Sequence, residues 1–239
     1  MESQKSCKLF LLGLFIFLGF TSLGFLLGQS IVKFKELDRT ITVKGLSEKE
    51  ENADIVIWPI QFTELGNDLT SIYNSLDKSS NIIKSYLISN QVKDEEITFS
   101  QPSIIDKYAH SYGDTSKAEY RYTATQTITI YSSQVEKVRS LINKVSELGK
   151  QGIAFNASEY NNQIEYLYTS LNLSKPQMIE DATRSAREVA IKFAKDSSSK
   201  LGKIKKASQG QFTIEDRDKN NPHIKKIRVV STIEYYLAD

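Results

Sequence analysis

The sequence predicts an α+β fold, with helices packed on one face of an antiparallel-rich sheet, preceded by one N-terminal transmembrane helix. Segments with period-two hydrophobicity alternate with amphipathic helical segments, giving repeated strand-strand-helix units. A long uncharged run comes before them. The chain has 239 residues, of which 40% are hydrophobic and only four are proline, and this composition suits a domain with a hydrophobic core.

The N-terminal segment predicts a membrane anchor. Residues 9–27 contain no charged side chain, and a helix of that length spans about 28 Å, close to the hydrocarbon thickness of a bilayer. Lys5 and Lys8 precede the run, so residues 1–8 are expected to stay in the cytoplasm. The run is longer than the apolar region of most signal peptides, which favours an uncleaved anchor over a cleaved signal sequence.

The first elements of the exported body follow a tether, residues 28–38. Residues 39–45 alternate apolar and polar side chains and predict a strand, and residues 46–52 predict a polar turn. Residues 53–63 are apolar on both faces, as in a strand that is covered on both sides. Residues 68–91 have the hydrophobic spacing of an amphipathic helix, and Asn67-Asp68 is a start signal for it.

The middle of the body predicts paired strands and a second helix. Residues 97–105 and 119–131 read as strands around a polar tip, and the threonines of the second strand predict a solvated face. Ser133 and Glu136 fit a capping box at the start of a helix that ends before Gly149.

The last third predicts a long strand or strand pair, then a helix and a closing hairpin. The strand segment covers residues 153–171. Ser174 with Gln177 fits a second capping box, and Gly202 is expected to stop the helix. This helix carries alanines at every fourth position, which permits close packing; they are Ala182, Ala186, Ala190 and Ala194. Residues 204–214 and 224–237 form the predicted hairpin, and no linker divides residues 39–239.

Composition and motifs exclude several function classes. The formal net charge of +2 is too small for a dedicated nucleic-acid binder. One cysteine, Cys7, and two histidines, His110 and His223, offer no disulfide framework and no Cys-based zinc site. Phosphate-loop, nucleophile-elbow and metalloprotease motifs are absent from the sequence. We therefore assign no catalytic, cofactor-binding or metal-binding residue, and expect both histidines to be solvated in loop tips.

Two residue groups suggest binding surfaces. Lysines and an arginine cluster near the C-terminus and could meet anionic lipid or cell-wall polymer, although charge runs are more often solvated faces; they are Lys200, Lys203, Lys205, Lys206, Lys225, Lys226 and Arg228. Trp58 and Phe62 share one face of a strand and need cover, which an intramolecular core supplies more often than a second subunit. Pro59 in the same strand predicts an edge or a bulge.

Short structural motifs are spread along residues 39–237. Arg39–Gly45 reads RTITVKG after the export anchor, and Ala53-Asp54 opens the next strand. Further motifs lie in residues 120–131, 135–152, 182–202 and 226–237. With these, the chain resembles the SIMPL-domain family of bacterial envelope proteins, whose Y-x-A strand, second helix, A-x-x-x-A helix and closing strand they are similar to. The chain departs from the family at two turns, with Gly45-Leu-Ser47 in place of G-x-G and Ala53-Asp54 in place of Pro-Asp.

The resemblance implies an α+β envelope domain that tends to oligomerise, with reported links to stress tolerance and no catalytic residues to transfer. With the anchor, it predicts a single-pass inner (cytoplasmic) membrane protein whose main domain, residues 39–239, lies in the periplasm or outside the cell. Its expected partners are the membrane, through residues 9–27, further copies of itself, and an envelope protein or cell-wall polymer. Alternatives are a hydrolytic or redox-protective enzyme with a site around His110 and Asp114, and a cell-wall or anionic-lipid binder.

Overall fold

The computed structural model describes residue 14 and residues 16–30, 39–109, 119–155 and 163–238. In these residues the chain forms an α+β structure with five helices and two antiparallel sheets, which agrees with the predicted fold class. The helices are α1 (residues 16–30), α2 (Leu69–Ser89), α3 (Val135–Ile142), α4 (Ser146–Lys150) and α5 (Leu171–Asp196).

Nine strands make the two sheets. They are β1 (Thr40–Asn52), β2 (Ile55–Gly66), β3 (Ile97–Phe99), β4 (Ser103–Asp106), β5 (Tyr122–Ser132), β6 (Glu165–Leu167), β7 (Lys200–Gln209), β8 (Thr213–Asp216) and β9 (Ile224–Ala238). One sheet has the order β1-β9-β7, with β8 also pairing with β9. The other has the order β3-β5-β2-β6, with β4 also pairing with β5.

The chain divides into two compact units, which we name after their main helices. The α5 unit comprises Met1–Glu48, Lys175–Thr213 and Arg228–Asp239. The α2 unit comprises Lys49–Ser174 and Ile214–Ile227. Each unit has its own cluster of buried apolar side chains.

In the α2 unit, strand β2 supplies much of the core. It pairs with β5 from Val56 opposite Ser132 to Gly66 opposite Tyr122. Alternate β2 side chains are buried in one cluster with residues of α2; they are Val56, Trp58, Ile60, Phe62, Ile72, Leu76, Ile83 and Leu87. Burial of each large apolar side chain contributes about 1.5–3 kcal/mol, so this cluster is a main source of the unit's stability. Trp58 and Phe62 therefore have the intramolecular cover that the sequence favoured.

In the α5 unit, the predicted alanine ridge of α5 packs closely, as expected. Ala182, Ala186 and Ala190 are fully buried. Ala186 and Ala190 form a core cluster with Val43 of β1 and with Ile233 and Tyr235 of β9. Because alanine has only a methyl side chain, a strand can approach the helix backbone here more closely than larger residues would allow.

Several predicted boundaries were wrong because tertiary contacts override local signals. Residues 46–52, predicted as a turn, continue β1, and the expected single sheet is two sheets without regular strand-strand-helix repeats. The predicted second helix is interrupted between α3 and α4. Strand β6 is only three residues long, and residues 156–162 of the predicted segment lie outside the described residues. Helix α5 ends at Asp196, so Gly202 lies in β7 and does not stop the helix.

Neither predicted capping box forms. Helix α3 has Gln134 as its N-cap, whose backbone N–H donates to the Ser132 hydroxyl at 3.0 Å, while Glu136 bonds Arg139. Helix α5 begins at Leu171, before the predicted cap. The start of α3 thus involves Ser132, a residue outside the predicted capping box. By contrast, Asp68 caps α2 as predicted, accepting the Ser71 N–H at 2.8 Å.

The predicted membrane span falls partly on described residues. Residues 9–13 and 15 lie outside them, and residues 16–30 form α1. None of the helices in the described part of the chain combines the length and apolarity needed to cross a bilayer. The anchor at residues 9–27 stays a prediction.

The hydroxyl group of Tyr235 gives a stability prediction. Tyr235 is 3% exposed, and its hydroxyl has no hydrogen-bond partner within the described residues. Since a buried polar atom without a partner is costly, Tyr235→Phe should raise the free energy of unfolding by about 1 kcal/mol in urea titrations. Tyr236→Phe is the control with little expected effect, because Tyr236 is only half-buried. A loss of stability in Tyr235→Phe would contradict the prediction.

Candidate functional site

An aromatic and ionisable group of side chains in the α2 unit is the candidate functional site. His223, in the turn before β9, is only 8% exposed, and its carbonyl accepts the N–H of Ala53 at 2.8 Å. The ring of Tyr166, on β6, meets the His223 ring edge-on, with centroids 6.1 Å apart and an interplanar angle of 65°. The sequence prediction of a solvated loop histidine was wrong for His223, because its side chain is buried beside the Tyr166 ring.

Two charged residues of α3, Glu136 and Arg139, influence the pKa values of this site. The Arg139 guanidinium donates to both carboxylate oxygens of Glu136, at 2.8 and 3.0 Å. Burial lowers the pKa of His223, and the positive charge of Arg139 lowers it further. Burial also raises the pKa of Tyr166, against the opposing effect of Arg139. At neutral pH the site therefore holds an uncharged imidazole and an uncharged phenol beside an ion pair.

A cleft of about 380 Å³ shares residues with this site. It is lined by Asn52, Ala53 and residues 133–137 at the start of α3. Glu136 belongs to both the cleft and the ion pair with Arg139. The lining offers amide, hydroxyl, carboxylate and ammonium groups, a combination that can bind a polar ligand through several hydrogen bonds.

A larger groove runs along α2 in the same unit. It has a volume of about 610 Å³ and is lined by Lys78, Asn81, Ile82, Ser85, Tyr86, Ser89 and Gln151. Burial raises the pKa of the Tyr86 phenol, with a further contribution from the negative charge of Glu147. The groove combines amides and hydroxyls with apolar carbon, so it too is suited to binding.

The residues proposed for an enzymatic site fall where the structure does not describe the chain. His110 and Asp114 lie outside the described residues. Asp106 accepts bonds from the Arg121 guanidinium at 2.8 and 3.1 Å, and this contact holds its pKa below the ordinary range. Within the described residues, no group of three or more His, Cys, Asp or Glu side chains could hold a metal ion.

Several residues of the predicted basic cluster lie close to carboxylate groups. Lys225 is buried and pairs with Asp216 in the α2 unit. In the α5 unit, Lys205 approaches Glu234 and Arg228 approaches Glu48, each at 3.5 Å. These carboxylates neutralise part of the positive charge, which weakens the case for a dedicated anionic-lipid binder.

Asp54 connects two segments of the α2 unit, although the sequence indicated it only as part of a family motif. Its carboxylate accepts the backbone N–H groups of Thr169 and Ser170 at 2.8 Å each. The Thr169 hydroxyl also donates to it, at 3.1 Å. Asp54 thus ties the start of β2 to the segment before α5, and only a long-range contact map would have revealed that role.

The buried state of His223 predicts a pH dependence of stability. Its folded pKa lies below the ordinary value of 6.5, so the unfolded chain binds more protons as the pH falls through that value. Stability should therefore be greatest above pH 6.5 and decrease below it. In urea titrations at pH 7.5 and 5.5, His223→Gln should show a smaller difference than the wild type. His110→Gln is the matched control and should keep the wild-type difference; equal behaviour of both variants would contradict the prediction.

The fold and the site define a class of protein. Two antiparallel sheets with helices, and clefts lined by polar side chains, define an α+β protein. The family model SIMPL, described as a protein of unknown function (DUF541), matches residues 41–228. The chain therefore belongs to the SIMPL family, as its short motifs indicated. A comparison with curated proteins gives no match.

Proposed function

We propose that this SIMPL-family chain is a single-pass protein of the inner (cytoplasmic) membrane that acts by assembly or binding in the cell envelope. One observation carries the location: residues 9–27 are uncharged and follow Lys5 and Lys8. Such a run spans a bilayer, and the preceding lysines favour a cytoplasmic N-terminus. Residues 39–239 then lie in the periplasm or outside the cell. We include a role in stress tolerance in this proposal.

The two clefts support a binding role more than an enzymatic role. Their linings in the α2 unit present amides, hydroxyls and single charges of both signs. Within the described residues, no hydrogen bond joins the His223 imidazole to a hydroxyl or carboxylate group, as a catalytic base would require. An envelope protein or a cell-wall polymer offers the complementary hydrogen-bonding groups.

Fractionation and protease accessibility test the location. A C-terminally tagged full-length chain should sediment with membranes, and external protease should remove the tag from spheroplasts but not from intact cells of a diderm host. A variant with Phe17→Arg and Leu18→Arg is the matched control, because charges near the middle of a span oppose insertion. Recovery of the wild-type chain in the soluble cytosolic fraction would overturn the proposal.

Light scattering tests assembly. The full-length chain in mild detergent should have a protein mass above 27.1 kDa, the mass of one copy, after correction for detergent. The mass should decrease on dilution if the copies exchange. A mass of one copy at tens of micromolar would remove assembly from the proposal and leave binding in the clefts.

A further inference from the structure

We propose that a second copy of this chain pairs with the outer edge of β1, antiparallel and centred on Leu46. The inference rests on the assembly part of the proposed function and names the surface that would mediate it. Within the described residues, β1 lies at one end of its sheet and pairs only with β9. A strand edge presents backbone N–H and C=O groups that a further strand can bind.

The backbone geometry shows which residues of β1 face outward. The carbonyl of Arg39 accepts the N–H of Leu237 at 2.8 Å, so residue 39 directs its backbone groups toward β9. Successive residues of a strand direct these groups to opposite sides. Even-numbered residues, including Lys44, Leu46 and Glu48, therefore direct theirs to the outer edge.

Side chains of the same even-numbered residues are exposed. Leu46 is 42% exposed, and Lys44 and Glu48 are also exposed, whereas Val43 and Gly45 between them are buried against α5. An exposed leucine with a lysine two residues before it and a glutamate two residues after it makes a self-complementary pattern about Leu46. This pattern is what a two-fold interface requires.

Charge complementarity selects the register. With Leu46 facing Leu46 of the second copy, Lys44 of each copy lies directly opposite Glu48 of the other. Centring on Lys44 or on Glu48 would place like charges against each other, which is destabilising. Lys44 makes no ion pair within the described part of the chain. Glu48 approaches Arg228 at 3.5 Å but keeps 35% of its side chain exposed, so it can also face a lysine.

The opposite edge of the sheet has features that discourage pairing. Strand β7 carries four lysines, and its pairing with β9 contains two register shifts, between Leu201 and Ile204 and between Ile204 and Lys206. Lysines and bulges are the usual means by which edge strands avoid other chains. Residues 40–47 of β1 contain one lysine, no proline and several β-branched residues. The contrast favours β1 as the edge that binds a second copy.

Cysteine cross-linking tests the register on the full-length chain. Cys7→Ser removes the single native thiol, and Leu46→Cys then places two thiols at the proposed axis. Opposed residues in an antiparallel pair have Cα atoms about 5.5 Å apart, within the range of a disulfide. Mild oxidation in membranes should yield a covalent dimer. Thr42→Cys is the matched control, because its two copies would lie about 26 Å apart along the ladder.

Charge reversal supplies a second, independent test. Lys44→Glu should raise the dissociation constant of the dimer roughly tenfold, since it converts two opposite-charge pairs into like-charge pairs. Adding Glu48→Lys to that variant should restore much of the affinity. Failure of the restoration, or a Thr42→Cys dimer equal to that of Leu46→Cys, would overturn the β1 interface.

The outcomes separate the two proposals. Assembly of the wild-type chain in light scattering, without a cross-linked dimer of the Cys7→Ser, Leu46→Cys variant, would leave assembly intact and disprove the β1 edge. A wild-type chain that stays a single copy at tens of micromolar would disprove both assembly and the edge. Circular dichroism of Leu46→Cys should match the wild type, because residue 46 is exposed.

Discussion

Gly45→Ala is expected to lower the free energy of unfolding by about 3 kcal/mol, because no space exists for a β-carbon at this position. A Cβ on residue 45 would overlap the carbonyl oxygen of Ala182 and the amide nitrogen of Ala186, and would lie 2.8 Å from the Ala186 methyl carbon. Two of these atoms belong to the backbone of α5. The strand and the helix would have to separate, since backbone atoms cannot move aside as a flexible side chain can.

Urea denaturation of the purified chain at neutral pH measures the effect of Gly45→Ala. Gly149→Ala is the matched control: its new Cβ would lie 3.5 Å from the Phe155 ring, an ordinary contact, and alanine favours the α4 helix. The control should therefore keep or slightly raise stability. Equal losses in the two variants would show that the close approach of β1 and α5 is not the cause.

The sequence predicted those parts of the fold in which one local pattern dominates. The hydrophobic spacing and the start signal at Asp68 located α2 to within about two residues at each end. Alternation in the β5 segment predicted its buried face, with Ala124, Ile128 and Ile130 inside. These features depend on side-chain periodicity, which a single sequence displays directly.

Features fixed by distant contacts were not predictable in the same way. The extension of β1 to Asn52 depends on its pairing with β9 near the other end of the chain, which overrides a locally turn-like sequence. The His223 ring packs against Tyr166, and the His223 carbonyl accepts the N–H of Ala53; both residues are far from His223 in the sequence. In the sequence, Gly45 and the alanines of α5 belong to separate motifs. Only the structure shows that they are in close contact.

Asp54→Ala is expected to lower the free energy of unfolding at pH 7 by about 2–3 kcal/mol. The carboxylate accepts hydrogen bonds from three donors. The Thr169 N–H is shared between its two oxygens at 2.8 and 3.0 Å, the Ser170 N–H donates at 2.8 Å, and the Thr169 hydroxyl donates at 3.1 Å. Hydrogen bonds to a charged acceptor each contribute about 1.5–3 kcal/mol, and water can replace some of these because the site is half-buried. Asp54→Asn keeps one acceptor oxygen and should lose less.

The pH dependence of this loss shows whether the stabilisation comes from the negative charge of Asp54 or from packing alone. Burial alone would raise the pKa of Asp54, but the bonds from Ser170 and Thr169 outweigh it, and the folded pKa lies below its ordinary value. Stabilisation by a carboxylate with a lowered folded pKa is present above the unfolded pKa, about 3.9, and is lost as the pH falls through the folded value. The difference between wild type and Asp54→Ala should therefore be largest near pH 7 and shrink below about pH 4.

Asp77→Ala is the control for both measurements, because Asp77 is an exposed residue of α2. It should change the free energy of unfolding by less than about 0.5 kcal/mol at either pH. If Asp54→Ala cost the same at pH 3 and at pH 7, the negative charge would not be the source of the stabilisation. The contact would then act through shape alone, and the segment before α5 should tolerate Asp54→Asn without loss.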